Sequence, residues 1–206
     1  MTSGASEGAR TMPIMVDREE RRTAVVSIAF DLVAEKGIEA LTFREIAAAN
    51  GCSTSIVSHY FRNKNELLFK VYQVANSHAS QRLQEAHAAG RPLLECFDAI
   101  LPVCEESRRN WRVWLAFWSR AHLEPAYLEE RRRAAEDSLA LYRTMLAERL
   151  GRPECDPQMQ AAARRLIAAI AGIGLEACFA PDDWTVEQMH AVLAAVLRDL
   201  GLAERG

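Results

Sequence analysis

Apolar positions along most of this chain recur with the 3.6-residue period of helices, not the two-residue alternation of strands. Val25, Ile28, Ala29, Leu32 and Val33 form one buried stripe on a first helix expected from Asp17 to Lys36, and Gly37 ends it. Thr42 with Glu45 three residues later is a capping box, so a second helix should start at Phe43, carrying Phe43, Ile46 and Ala47 on one face. Gly51 supplies the backbone freedom needed to leave that helix. Ser53 suits the N-cap of a short third helix, Thr54 to Phe61. Asn63 with Glu66 repeats the capping logic for a long fourth helix, Lys64 to about Ala88, with Leu67, Leu68, Val71, Tyr72 and Ala75 inside.

Pro92 suits the first turn of a fifth helix, which carries Leu93, Leu94, Phe97, Ile100 and Leu101 and should end near Ser107. Pro102 would kink or shorten it. Trp111 to His122 is the most aromatic segment, and Trp111, Trp114 and Trp118 share one helical face. Pro125 opens a seventh helix to about Leu150, ended by Gly151 and Pro153; its run Glu129 to Arg133 reads as a solvated face with i,i+4 pairing. Pro157 to Phe179 forms the eighth, ended by Pro181. Thr185 with Gln188 caps the last, which carries Val192, Leu193, Val196, Leu197 and Leu200. The count is nine helices with no internal repeat, an all-α chain.

Composition agrees, since Ala, Leu, Glu and Arg are abundant while 10 Gly and 7 Pro are few among 206 residues. A net charge of −3 excludes a polycation that coats nucleic acid without specificity. Locally the balance differs: between Thr42 and Lys64, Arg44, Arg62 and Lys64 face only Glu45. Arg18, Arg21 and Arg22 near the start of the first helix either touch phosphates or form a solvated face balanced by Asp17, Glu19 and Glu20. Five scattered cysteines without a C-x-x-C pair match a reducing cytosol, and a cytoplasmic protein is expected. Residues 1–15 lack an apolar core, read as a disordered arm and are no signal peptide. The most apolar stretch, Leu166 to Leu175, is too short to span a bilayer, so no membrane partner is expected. There is no Gly-rich phosphate loop, no H-E-x-x-H and no zinc spacing, and His78, His87, His122 and His190 are scattered. No catalytic residue, metal or cofactor is expected, and the chain is read as no enzyme.

Two short helices around a Gly-containing turn, in the stretch TFREIAAANGCSTSIVSHYFRNKNELL, are the pattern of a helix-turn-helix. The third helix would lie in the major groove, where base edges differ enough to be read. Thr54, Ser55 and Ser58 offer hydroxyls to bases or phosphates, and Val57 would pack on a thymine methyl. Thr42 and Arg44 would contact the backbone, while Ile46, Ala47, Ile56 and Phe61 would hold the unit together. The stretch closely resembles the recognition segment of TetR-type bacterial transcriptional repressors at Gly51, Ser53, His59, Tyr60, Phe61, Lys64 and Leu67. It departs from that family at Ser55, usually Gly, and Ser58, usually Tyr. The resemblance implies a DNA-binding domain over residues 16–64 and an effector-binding and dimerisation domain over 65–206. It adds Ser53, His59, Tyr60 and Lys64 as DNA contacts, the last three to the backbone.

A unit this small reads few base pairs, so double-stranded DNA with a palindromic operator and a homodimer are the expected partners. The dimer surface would be the last two long helices, where Ala168, Ala169, Ala171, Gly172 and Gly174 let helices approach closely. The segment WRVWLAFWSRAHLEPAYLEERR further resembles the choline-responsive repressors of the glycine-betaine pathway, a TetR subgroup, although Gly174 replaces an aromatic and Ala171 an acid of that group. Aromatic faces hold a quaternary ammonium by cation–π attraction. Trp111, Trp114, Trp118, Tyr142 and Phe179 would supply faces and Glu176 a charge to a small-molecule effector, cationic or aromatic and apolar. The same tryptophan stripe also reads as plain core packing. The expected function is a repressor released from its operator by such a ligand. The alternative is a helical protein-interaction module or a ligand-binding protein without DNA binding.

Overall fold

The computed structural model describes the backbone of residues 12–202, with side chains from Arg18 onward. The described residues form nine α-helices and no strand: α1 Met12–Lys36, α2 Phe43–Ala49, α3 Thr54–Tyr60, α4 Lys64–Ala88, α5 Leu93–Cys96, α6 Glu105–Ala121, α7 Pro125–Leu150, α8 Pro157–Phe179 and α9 Val186–Asp199. Single 3-10 turns follow α1 and α5. Helix α1 starts at Met12, so the last four residues of the expected arm are helical; the first eleven lie outside the described residues. The chain divides into two compact units, the first ending at Val71 and the second beginning at Tyr72. That division falls inside α4, seven residues beyond the expected one.

The first unit is built around Val25, Ala29, Val33, Leu41, Ile46, Val57, Phe61, Leu67 and Val71, each at most 1% exposed. Its turns follow from local chemistry. The Glu45 amide donates to Thr42 Oγ1 at 3.2 Å and starts α2. Gly51, at φ 62°, ends it: the Cys52 amide reaches back to the Ala47 carbonyl at 3.0 Å, and the Gly51 amide to Ala48 at 3.3 Å. At the start of α4 the Glu66 amide donates to Asn63 Oδ1, and Glu66 Oε2 accepts from the Arg62 amide, each at 2.9 Å.

In the second unit α6 packs on α7, α7 on α8 and α8 on α9. The expected helix from Leu93 to Ser107 is not continuous. Pro102 lacks the amide a helix needs there, and the chain bends through residues 100–104. Ser107 Oγ then accepts from the Cys104 amide at 3.2 Å, and a fresh helix begins at Glu105. Arg82 holds the bend from α4, bonding the Ala99 carbonyl and Glu106. Two histidines tie elements by 2.6 Å bonds, His87 to Glu148 and His190 to Asp98. Asp156 caps α8 through the Gln158 amide at 2.8 Å, and Thr185 caps α9 through Gln188.

Candidate DNA interface and effector cavity

Helix α3 turns one face to the interior and leaves the other free. Val57 is 0% exposed and pairs by i,i+4 spacing with buried Phe61, whereas Ile56 is 39% exposed. This reverses the roles expected of the two, and Val57 cannot meet a thymine methyl. Ile56 stands on the open face, beside exposed Ser53, Thr54, Ser55, Ser58 and His59 and half-buried Tyr60.

Two hydroxyls of this face bond each other and a third bonds the backbone. Ser53 Oγ and Ser55 Oγ lie 2.7 Å apart, and Ser58 Oγ donates to the Ser55 carbonyl at 3.1 Å. Ser53 therefore holds the N-cap position in extended backbone without bonding an α3 amide. The His59 and Tyr60 rings meet edge to face at 5.2 Å. Thr42 at the N-cap of α2, Arg44 in its first turn and Lys64 at the start of α4 are exposed. Among the described residues, no carboxylate lies within ion-pairing distance of Arg44, Arg62 or Lys64. Arg22 is occupied otherwise, its guanidinium 5.3 Å from the Phe61 ring centroid and 3.8 Å from Glu19. The result is a surface of short hydroxyls, one aliphatic group and uncompensated cations. Such a surface can accept phosphates at its edge and base edges at its centre.

The second unit contains a cavity of about 70 Å³ whose wall includes Trp111, Trp114 and Trp118 from α6. Tyr72 and Asn76 of α4, Arg131 and Tyr142 of α7, and Ile170 and Ala171 of α8 complete much of the lining. The tryptophans are both core and wall. Trp111 is 1% exposed, and its Nε1–H donates to the Ile100 carbonyl at 2.7 Å. Its ring lies edge-on to Trp114 and Trp118, at 5.3 and 5.8 Å between centroids. Trp118 donates to the Tyr72 hydroxyl at 3.3 Å, while the buried Trp114 Nε1–H has no acceptor among the described residues. Burial pushes the phenols of Tyr72 and Tyr142 above their ordinary range, so both stay neutral.

Of the expected ligand residues, four line this cavity and two do not. Glu176 is exposed and Phe179 is 75% exposed, both outside the lining. The physical reason is helical phase: Ile170 and Ala171 line the cavity and Gly174 is buried beneath Trp111, so positions 175, 176 and 179 turn outward. Gly174 and Ala171 likewise leave the expected dimer face; the exposed line on α8 is Ala168, Gly172, Leu175 and Phe179.

Arg131, Tyr72 and Asn76 were missed. The run Glu129 to Arg133 is not a uniform solvated face. Arg133 bonds Glu130 at 2.6 Å and Arg132 approaches Glu129 at 4.0 Å, both by i,i+3 spacing, while Arg131 turns in and lies 4.7 Å over the Trp118 ring. The signal was present in the spacing. Arg132 and Arg133 each have a glutamate three residues before them, whereas Arg131 has Leu128 and Tyr127 three and four residues before it.

Two family models match this chain. Residues 25–71 match the description "Bacterial regulatory proteins, tetR family", and residues 90–202 match "BetI-type transcriptional repressor, C-terminal". The chain belongs to the TetR family. Its two matched segments are those of bacterial transcriptional regulators. Among relatives, this TetR regulator is 30% identical to the BetI regulator of Escherichia coli over 55% of its own length and 62% of that protein's. It is 26% identical to BetI 1 of Chromohalobacter salexigens, over 86% and 88% of the two chains. Several curated relatives are matched over only 54–62% of their length. Its fold is shared by a transcriptional regulator from Saccharomonospora viridis solved in complex with choline, with a TM-score of 0.76, 23% identity and coverage of 91% and 100%. Among the described residues no helix is long and apolar enough to cross a membrane.

Proposed function

We propose that this regulator binds a palindromic operator as a homodimer and is released from it by a small molecule taken into the α6–α7 cavity, in the cytoplasm. The observation that carries the DNA half is the open face of α3, with Ser53, Thr54, Ser55, Ile56, Ser58 and His59 exposed over a closed apolar base. Ser55, Ile56 and Ser58 meet base edges, Ile56 taking the thymine-methyl role. Thr42, Arg44, His59, Tyr60 and Lys64 meet the phosphate backbone. One such head reads few base pairs, so affinity and specificity require two.

The second copy docks on α8 and α9. Leu175, Phe179 and Val186 are 36, 75 and 37% exposed, and Val192 and Val196 are half-buried, although Leu193 and Leu197 already fill the inner side of α9. Ala168 and Gly172 on the same face permit close helix approach. A two-fold axis through this surface makes each patch its own partner.

Release is a population shift. Helix α4 carries Lys64 in its first turn and Tyr72 and Asn76 on the cavity wall. A ligand that prefers one setting of this helix alters the spacing of the two reading heads by mass action. Sedimentation and gel shift test the reading together. The wild-type chain should sediment as a dimer and retard operator DNA, and Phe179→Asp should sediment as a monomer and retard it poorly. A wild-type monomer with full operator affinity would sink the dimer reading.

A further inference from the structure

The charge of the cavity wall restricts what can occupy it. Among the described residues, Arg131 is the one charged side chain in the lining, and no carboxylate contributes to it. Among the described residues Arg131 has no ion-pair partner; its guanidinium rests on the Trp118 face, 4.7 Å from the ring centroid. The neighbouring glutamate, Glu130, is taken by Arg133 and by Gln73, at 2.6 and 3.1 Å. The cavity thus already holds its own cation on its aromatic surface. A quaternary ammonium entering here would compete with that guanidinium for the same indole and would find no carboxylate to offset its charge.

From this we infer that the effector is an organic anion, a carboxylate on a compact aromatic or short aliphatic body, and that Arg131 is the residue that selects it. The inference rests on the effector reading above and names the ligand class of that same cavity. A carboxylate accepts two parallel N–H bonds from a guanidinium, which exceeds what an indole face offers a partly solvated arginine. Arg131 therefore leaves Trp118 when the anion arrives. The apolar body then contacts the ring surface that the guanidinium had covered. Donors on the same wall suit an acceptor-rich head group: Trp114 Nε1–H lacks an acceptor, and Asn76 is half-buried in the lining. The volume of about 70 Å³ is under half of the roughly 150 Å³ that admits a benzene in a dry apolar cavity, so displacement of the arginine is also what makes room.

The test is equilibrium binding to the full chain, read by quenching of tryptophan fluorescence and by calorimetry. The probes are benzoate, phenylacetate and hexanoate, the amides of the same three acids, and choline. Carboxylates should bind at least ~10-fold more tightly than their amides, and choline more weakly than either. In Arg131→Gln the preference for carboxylate over amide should vanish, with carboxylate affinity falling about 10- to 100-fold. Arg131→Lys, which keeps the charge without the planar fork, should recover part of it. Thermal melts of both variants confirm that they are folded. Binding of amides or choline equal to or tighter than that of carboxylates overturns the anion inference alone. A wild type that binds none of the seven probes overturns both this inference and the effector reading beneath it.

Discussion

Replacing Gly174 by alanine in the middle of α8 separates two opposing effects of known size. In an exposed helix interior the change would stabilise by about 1 kcal/mol, because alanine loses less backbone entropy on folding. Here the added Cβ would stand 1.9 Å from Trp111 Cζ2, and 2.4 and 2.5 Å from Cε2 and Cη2. Carbon atoms in contact sit about 3.5–4 Å apart, so the ring or the helix must move by roughly 2 Å. The ring is poorly placed to yield. Its Nε1–H is bonded to the Ile100 carbonyl at 2.7 Å, and Trp114 and Trp118 abut it edge to face. Overpacking costs about 1–3 kcal/mol and loss of the buried hydrogen bond about 1 more, which outweighs the propensity gain. The net is a destabilisation of about 1–3 kcal/mol, a fall in Tm of roughly 2–12 °C for a chain of this size. Thermal melts followed by circular dichroism give the number, and a double-mutant cycle with Trp111→Phe isolates its cause. In the Trp111→Phe background the clashing indole atoms are absent, so Gly174→Ala should be neutral or stabilising. A rise in Tm in the wild-type background, or an equal fall in both, would refute the contact as the reason for the glycine.

Three further outcomes follow from the same geometry. Val57→Ala removes two buried methyl groups and should destabilise the first unit by about 2 kcal/mol in urea melts, whereas Ile56→Ala should stay within about 0.5 kcal/mol of wild type yet weaken operator binding. The opposite pattern would restore the reversed assignment of these two side chains. Tyr60→Ala and Lys64→Ala should each weaken binding to all sequences alike without changing the melt, and Lys64→Ala should lower the salt slope of log Kd by about one; unchanged affinity for both would remove them from the interface. At alkaline pH stability should fall. Burial raises the phenols of Tyr72 and Tyr142 and pushes Tyr127 up to about 12, so above pH 10 the unfolded chain has lost protons that the folded chain retains. The stabilisation is complete below the ordinary tyrosine value and declines as pH rises from 10 towards 12. Tyr142→Phe should flatten that decline in urea melts at about pH 8, 10 and 11, and a slope identical to wild type would exclude Tyr142 as a source.

Helix boundaries were legible because they depend on residues adjacent in sequence. Thr42, Asn63 and Thr185 each cap the helix the sequence assigned to them, and Gly51 takes the left-handed turn expected of it. The sequence is ambiguous where either of two helix faces could turn inward. In a seven-residue helix both Ile56 and Val57 are apolar, and only the i,i+4 relation of Val57 to Phe61 shows which one turns in. On α8 small residues permit close approach on either side, so Gly174 reads as a dimer contact although it accommodates Trp111 from its own chain. Arg131 was hidden for a different reason. A run of charges reads as solvated until a ring 13 residues away in sequence, Trp118, is known to lie beneath one of them. Pro102 marked the break after α5, but the bonds from Ser107 and Arg82 that shape the bend depend on tertiary placement.

Selection of genomic fragments by the purified protein, followed by sequencing, tests the central claim most directly. The account predicts a single enriched palindrome whose half-sites are each protected on one face of the duplex, with enrichment lost in a variant carrying Ser55→Ala, Ile56→Ala and Ser58→Ala. Recovery of no enriched site, or the same site enriched undiminished by that triple variant, would contradict recognition through the open face of α3.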